Sequence, residues 1–210
     1  MTKVLAKVFG AVSIVNAIAT GKGATLGIDT FVETTLVRKK GKGIHITSEN
    51  KTISSRLINQ IIKNLITRKE LEENRLELDF KSNIPTGYGL KSSSSISSAV
   101  ALSCAKAFGK NINDKEILEL GAKTSIQTKV SITGAYDDAC ACHFGGFNVT
   151  DNLKMKLIHR ELAPKELQAV IFLPRSRKRG NLKKLKEFGN AFEKSWEMAR
   201  KSDYWNAAIL

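Results

Sequence analysis

The segment "GYGLKSSSSISSAV", residues 87–100, lies between a predicted strand and a predicted helix, and this position constrains the fold more than any other feature. Before it, "LELDF" alternates apolar and polar side chains, which is typical of a half-buried strand. After it, Ile96, Val100 and Cys104 recur at helical spacing, and Gly109 is a typical helix stop. A flexible Gly/Ser linker would continue in polar residues on both sides. The chain is therefore predicted to pass from a strand through a tight loop into a helix.

The start of that helix offers a place for an anion. Unpaired backbone N–H groups and the positive end of the helix dipole converge there. Gly87 and Gly89 let the backbone approach a ligand closely, and the hydroxyls of Ser92 to Ser95 can donate to phosphate oxygens or contact nucleotide-bound Mg²⁺. The pattern predicts a phosphate-binding loop, with an ordinary capped turn as the alternative. Neither the G-x-x-x-x-G-K-[ST] P-loop nor the G-x-G-x-x-G dinucleotide fingerprint occurs in the chain.

Strand and helix patterns alternate irregularly along the chain. The segments "ATLGIDTFVETTLVRKK" and "GIHITS" predict two strands joined as a hairpin at "KKGKG", and "LQAVIFLP" predicts a buried strand. Residues 54–66, 113–124 and 185–199 predict amphipathic helices. Without a steady strand–helix–strand rhythm, the sequence favours an α+β fold, with helices on one face of a largely antiparallel sheet.

Charge leaves more than one class of partner open. The net charge of +14 comes from 34 Lys and Arg against 20 Asp and Glu, which suits nucleic acid, anionic metabolites or a highly charged surface. The densest basic run, Pro174 to Lys186, contains no aromatic side chain that could stack on bases. Nucleic acid is therefore the less favoured partner.

No signal peptide and no membrane-spanning segment of roughly 18 apolar residues is found, so a cytoplasmic location without membrane contact is expected. The cysteines are expected to be reduced and buried. Neither the cysteines nor the histidines show the spacing of a metal site. They are Cys104, Cys140, Cys142, His45, His143 and His159.

Two adjacent carboxylates, Asp137 and Asp138, follow Gly134 in "SITGAYDDACACHFGG". Burial among small and apolar residues would be costly unless they meet a cation or hydrogen-bond donors. Near a transferring phosphoryl group, one carboxylate can accept a proton from the attacking hydroxyl while its neighbour holds Mg²⁺ or orients a partner. The alternative is an exposed turn with two solvated aspartates.

A third stretch, from Phe9 to Asp29, surrounds a few polar residues with glycines and small side chains. Asn16, Thr20, Lys22 and Asp29 suit a small polyhydroxylated ligand, with Lys22 as the cation for a carboxylate. The alternative is a strand and hairpin in which the glycines only serve backbone geometry.

Together the three stretches resemble a known family. "PTGYGLKSSSSISSAVA" resembles the second, phosphate-binding motif of the GHMP small-molecule kinases, P-x-x-x-G-L-x-S-S, with Pro85, Gly89, Leu90, Ser92 and Ser93 at its fixed positions. "GAVSIVNAIATGKGATLGID" and "TGAYDDACACHFGG" are similar to the archaeal type of shikimate kinase within that family. The resemblance spans most of residues 1–175.

This resemblance implies the GHMP kinase fold, with an N-terminal ribosomal-protein-like half at residues 1–150 and a C-terminal ferredoxin-like half of which residues 151–210 are a part. It also implies ATP- and Mg²⁺-dependent phosphorylation of the 3-hydroxyl of shikimate, in chorismate and aromatic amino-acid biosynthesis. Two alternatives stay open: another GHMP kinase, such as one acting on homoserine, and a non-catalytic basic nucleic-acid-binding module.

The resemblance also implies roles for individual residues. Asp138, seven residues before Gly145, has the spacing of the catalytic aspartate, with a one-residue ambiguity toward Asp137. Ser93 would contact the metal. The substrate would meet the polar residues of the third stretch, Asn16, Thr20, Lys22 and Asp29. The triphosphate would lie against Pro85, Gly87, Gly89, Leu90, Lys91, Ser92, Ser93, Ser94 and Ser95.

Two departures from the family pattern stand out. The first motif usually carries a Pro-Gly-Lys/Arg element where this chain has Phe9, Gly10 and Ala11. Cationic help must then come from elsewhere, with Lys22 as the candidate. The third, glycine-rich motif is not found, and family members run well past position 210. The chain is expected to be a shortened form with an incomplete C-terminal half.

Overall fold

A computed structural model describes residues 1–49, 53–174 and 182–210. A six-stranded sheet forms the centre of the fold, and its long second strand holds the other strands together. Strand β2 pairs with β1 along one edge, and its other edge pairs with β4 at one end and β5 at the other. The strands are β1 (Thr2–Val15), β2 (Lys22–Lys40), β3 (Gly43–Ser48), β4 (Asn74–Ser82), β5 (Phe147–Asp151) and β6 (Lys156–Glu161).

The helices over residues 55–65, 92–108 and 114–127 begin and end close to where the sequence predicts, whereas the helices over residues 68–73, 136–144 and 204–209 were not predicted. The Ser54 hydroxyl accepts a hydrogen bond from the backbone of Leu57, Asn113 and Glu116 form a capping box, and Gly109 ends a helix in the left-handed conformation. The α-helices are α1 (Ser55–Leu65), α2 (Arg68–Glu73), α3 (Ser92–Phe108), α4 (Asp114–Gln127), α5 (Tyr136–Phe144), α6 (Gly189–Arg200) and α7 (Tyr204–Ile209).

Helices cover both faces of the sheet at the β2–β5 end, whereas the sequence predicted helices on one face. Gly23 and Thr25 face Asp137 of α5. The alternate residues Ala24 and Leu26 pack with Trp196 of α6. Because successive side chains of a strand point to opposite faces, α5 and α6 lie on opposite sides of β2.

The predicted hairpin between β2 and β3 is wrong. Strand β4 lies between them, antiparallel to β2 and parallel to β3. Leu76, Leu78 and Phe80 of β4 are fully buried, whereas the side chains of β3 alternate between half-buried and exposed. The more apolar strand therefore takes the interior position, and the short β3 forms the edge.

Two expectations for the C-terminal third are corrected. Residues 167–174 form no strand, and Val170 and Phe172 are largely exposed; no strand among the described residues hydrogen-bonds to this run. The helix predicted over 185–199 is divided into a 3-10 helix, Leu182–Phe188, and α6, which begins at Gly189.

The central part of the basic run, residues 175–181, lies outside the described residues. Among those described, no helix has the length and apolar character to cross a bilayer.

Candidate active site

The loop before α3 adopts left-handed backbone conformations at three positions. Gly87 and Gly89 have φ of 82° and 78°, and Lys91 has φ of 64°. A Cβ atom added at either glycine would meet nothing within 4 Å, so both face open space that a ligand can enter. Lys91 is not a glycine, and its left-handed conformation costs about 1 kcal/mol. Strain of this kind concentrates at functional sites.

The first turn of α3 leaves backbone donors unused. Lys91 is the N-cap residue, and no side chain caps the helix. The first backbone bond of the helix runs from the Ser95 N–H to the Lys91 carbonyl, at 3.0 Å. The N–H groups of Ser92, Ser93 and Ser94 therefore have no intrahelical acceptor, which is the arrangement that favours an anion.

The four serines do not all face the same way. The Ser95 hydroxyl donates to the Phe9 carbonyl of β1 at 2.7 Å, and the Ala11 N–H donates to the Leu90 carbonyl. Leu90 is buried in the main core, and Pro85 is half-buried. These contacts fix the loop against β1, and Ser92 to Ser94 are left to line a cavity.

That cavity has a volume of about 260 Å³ and also contains Asp138. The serine run and one of the paired acids thus line the same cleft. The lining residues are Gly87, Gly89, Leu90, Lys91, Ser92, Ser93, Ser94, Ser125, Val130, Ser131, Ala135 and Asp138.

Within this cleft, Asp138 forms an ion pair with Lys91. The Lys91 Nζ lies 3.0 Å from the Asp138 Oδ1, and the two side chains are only 13% and 16% exposed. Burial, together with the charge of Asp137, raises the pKa of Asp138 to about 7, although Lys91 acts in the opposite direction. Burial lowers the pKa of Lys91, but the charges of Asp138 and Asp137 outweigh it, and that pKa is raised. A carboxyl group with a pKa near neutrality is well suited to proton transfer.

Asp137 is fully enclosed and turned toward the sheet. Its Oδ1 accepts a hydrogen bond from Asn152 Nδ2 at 2.7 Å, and its Oδ2 accepts one from the Thr25 hydroxyl at 3.3 Å. Its backbone N–H donates to Asn152 Oδ1 at 3.0 Å. Neither Thr25 nor Asn152 was expected from the sequence, because no local spacing links them to the acids.

Position 23 has no room for a side chain, because it lies against the side chain of Asp137. A Cβ atom at position 23 would lie 2.8 Å from the Asp137 Cγ, so Gly23→Ala is expected to displace Asp137 and to destabilise the fold by about 1–3 kcal/mol. Chemical denaturation measures the change. Gly121→Ala in α4 is the matched control, because its Cβ would make an ordinary 3.4 Å contact and alanine favours a helix. Equal stability of the Gly23→Ala variant and the unmodified chain would contradict this prediction.

The four residues predicted to bind the substrate do not line this cavity. Lys22 lies on the opposite face of β2, where it pairs with Glu193 and covers the Trp196 ring at 4.6 Å from its centroid. Asn16 and Thr20 accept hydrogen bonds from the backbone N–H groups of Ile18 and Lys22 in the β1–β2 turn. Asp29 is exposed in a separate groove of about 630 Å³. Their roles as substrate ligands stay predictions.

The site carries few groups that could hold a metal without a nucleotide. Among the described residues, no three His, Cys, Asp or Glu side chains form a possible metal site. Mg²⁺ in phosphoryl-transfer sites is usually held by substrate phosphates and one or two protein oxygens. The Ser92 to Ser94 hydroxyls in this cleft fit that mode.

Comparison with known protein families matches residues 56–146 to the model of the GHMP kinases N terminal domain. Among curated proteins, the chain is 39% identical to the shikimate kinase of Methanosarcina acetivorans, over 96% of this chain and 69% of that protein. It is 37% identical to the shikimate kinase of Pyrococcus furiosus, over 81% of this chain and 62% of that protein. The chain thus spans about two thirds of the length of these relatives.

Solved structures show the same fold at low sequence identity. A putative sugar kinase from Campylobacter jejuni matches all of this chain and 73% of its own, with a TM-score of 0.67 and 16% identity. Homoserine kinase from Cytophaga hutchinsonii matches 97% of this chain and 71% of its own, with a TM-score of 0.66 and 16% identity.

Proposed function

The chain belongs to the shikimate kinases of the GHMP kinase superfamily, and on this basis we propose that it transfers the γ-phosphoryl group of ATP to the 3-hydroxyl of shikimate. The product is shikimate 3-phosphate, an intermediate of chorismate and aromatic amino-acid biosynthesis. Residues 1–150 form the N-terminal kinase domain in this proposal, and residues 151–210 belong to the C-terminal domain.

One observation carries the proposal. The cavity at the N-terminus of α3, where backbone N–H groups have no intrahelical acceptor, is also lined by the buried carboxyl group of Asp138, whose pKa is raised to about 7. The N–H groups of Ser92, Ser93 and Ser94 and the positive end of the helix dipole bind triphosphate oxygens. Asp138 faces the same space. A nucleotide held by the loop therefore presents its terminal phosphoryl group near a proton acceptor.

The transfer needs one proton acceptor and a stabilised leaving group. The Asp138 carboxylate takes the proton of the 3-hydroxyl while the hydroxyl oxygen forms a bond to the γ-phosphorus. The bond from that phosphorus to the bridging oxygen breaks, and its electron pair leaves with ADP. Asp138 is assigned as the base in preference to Asp137, because Asp137 is enclosed between Thr25 and Asn152.

Mg²⁺ accompanies the nucleotide in this proposal. Ser93 would hold it together with phosphate oxygens, which suits the sparse donor set of the cleft. Bound there, Mg²⁺ would neutralise charge that develops on the phosphates.

Two measurements test the proposal. Isothermal titration of the folded chain with Mg-ATP and then with shikimate is expected to give heat for both ligands. Coupled ADP release with a panel of alcohols is expected to show turnover of shikimate. Turnover of homoserine or another alcohol beside none of shikimate would contradict the substrate, and an absence of heat from both ligands with a folded sample would contradict the kinase itself.

A further inference from the structure

The cleft of the proposed active site contains one cationic side chain among its described lining residues, that of Lys91. Lys22, which the sequence favoured as the source of positive charge, lies on the other face of β2 beside Glu193. A phosphoryl-transfer site needs positive charge close to the transferring group. Among the described residues that line the cleft, Lys91 is therefore the one placed to supply this charge.

Lys91 is held in place from both its backbone and its side chain. Its left-handed backbone conformation at the N-cap of α3 accompanies a side chain that turns inward. Lysine side chains usually extend to solvent, but this one is only 13% exposed. Its Nζ contacts Asp138 at 3.0 Å and the Ser13 hydroxyl at 2.7 Å. An ammonium group has three donors, so one has no partner among the described residues and can donate to an oxygen of a ligand in the cleft.

We propose that Lys91 is a catalytic residue that contacts both the Asp138 carboxylate and the γ-phosphoryl group during transfer. This assignment rests on the proposed kinase function. As the hydroxyl proton passes to Asp138 and the bond to ADP breaks, the ammonium group of Lys91 stabilises the charge on the transferring phosphoryl oxygens. The loop that binds the triphosphate thus also supplies the cation that the first motif of this chain lacks.

The charges around Asp138 explain why this cation matters. Asp137 precedes Asp138 on α5, and its negative charge disfavours a second negative charge at Asp138. Among the described residues, Lys91 is the cation that forms an ion pair with Asp138, at 3.0 Å, and it favours the ionised carboxylate. Removing Lys91 therefore leaves a buried carboxylate beside a second one, with no opposite charge.

A set of four variants tests the assignment. Lys91→Met removes the charge and keeps much of the side-chain volume, Lys91→Arg keeps the charge, and Lys91→Gly removes the charge at a left-handed position that glycine adopts easily. Lys110→Met is the matched control, because Lys110 makes a similarly direct ion pair with Glu70 at 2.6 Å, beyond the opposite end of α3. The measurements are kcat with shikimate, Mg-ATP binding by calorimetry, and titration of Asp138 by carboxyl ¹³C NMR without ligands.

Lys91→Met and Lys91→Gly are expected to lower kcat by about 100-fold or more, with Mg-ATP affinity changed less than about tenfold, and to raise the titration midpoint of Asp138 by about one pH unit or more. Lys91→Arg is expected to recover part of the loss, and Lys110→Met to match the unmodified chain. The Gly variant decides the matter if the Met variant does not fold.

A kcat of the Lys91→Met or Lys91→Gly variant within threefold of the unmodified chain, an equal loss in Lys110→Met, or an unmoved Asp138 midpoint would overturn the assignment. If the unmodified chain does not phosphorylate shikimate, the proposed function fails, and the Asp138 midpoint alone then decides whether Lys91 controls this carboxyl group.

Discussion

Asp138→Asn is expected to lower kcat for shikimate phosphorylation by about a thousandfold, within the range attributed to general acid–base groups. Asparagine has nearly the same shape but cannot accept the proton of the attacking hydroxyl. The α3 N-terminus and its serines are unchanged, so Mg-ATP binding is expected to persist. Steady-state kinetics with coupled ADP release measures the first effect, and isothermal titration measures the second.

Asp79→Asn is the control for this experiment. Asp79 lies on β4 and contacts the Thr47 hydroxyl at 3.1 Å, so its loss removes a carboxylate without touching the cleft. Activity close to that of the unmodified chain is expected for it. An Asp138→Asn variant that retains more than about a tenth of the original kcat would show that the hydroxyl loses its proton by another route.

The parts of the site that the sequence predicted are those that depend on local patterns. A strand, two glycines and a serine-rich helix start are contiguous, and the backbone of Ser92 to Ser94 acquires its free N–H groups from helix geometry alone. The adjacency of Asp137 and Asp138 was visible in the same way. That Asp138 lines one cavity with the loop is a tertiary property, but the family resemblance already implied it.

The parts that the sequence did not predict depend on which face of the sheet a side chain occupies. Lys22 and Gly23 are neighbours in sequence, yet Gly23 contacts Asp137 while Lys22 contacts Trp196 on the other side. A strand pattern alone does not say which face meets which helix. Lys91 appeared only as one member of a phosphate loop, because its left-handed conformation and its inward direction toward Asp138 follow from tertiary packing.

Strand order was missed for a related reason. The short connection between β2 and β3 favoured a hairpin, but pairing is decided by the apolar surface that each strand can bury. Leu76, Leu78 and Phe80 make β4 the better neighbour for β2. Asn152 was not predicted as a partner of Asp137 because the contact is also tertiary. It is made from a turn after β5.

The rate of the reaction is expected to rise with pH up to about neutrality. Burial and the charge of Asp137 raise the pKa of Asp138 to about 7, and only the ionised carboxyl group can take the hydroxyl proton. Below that pKa, kcat/KM for shikimate should fall about tenfold for each pH unit, and above it the profile should level off. An unperturbed aspartate, with a pKa of about 3.9, would give a flat profile from pH 5 upward.

The contribution of Asp138 to the free energy of unfolding is expected to fall as the pH rises, whereas the rate rises. Acid unfolding has the opposite sign, because it lowers stability as the pH falls. A carboxyl group whose folded-state pKa exceeds its unfolded-state value binds more protons in the folded state between those two values. The contribution of Asp138 to the free energy of unfolding is therefore complete below about pH 4 and is lost as the pH rises to about 7. Denaturant unfolding of the chain and of Asp138→Asn across this window measures the contribution, because the variant lacks the titration. Protonation of Asp138 thus stabilises the fold and at the same time prevents it from acting as the base. A kcat/KM profile that is flat between pH 5 and 7 would contradict the assignment of Asp138 as the proton acceptor.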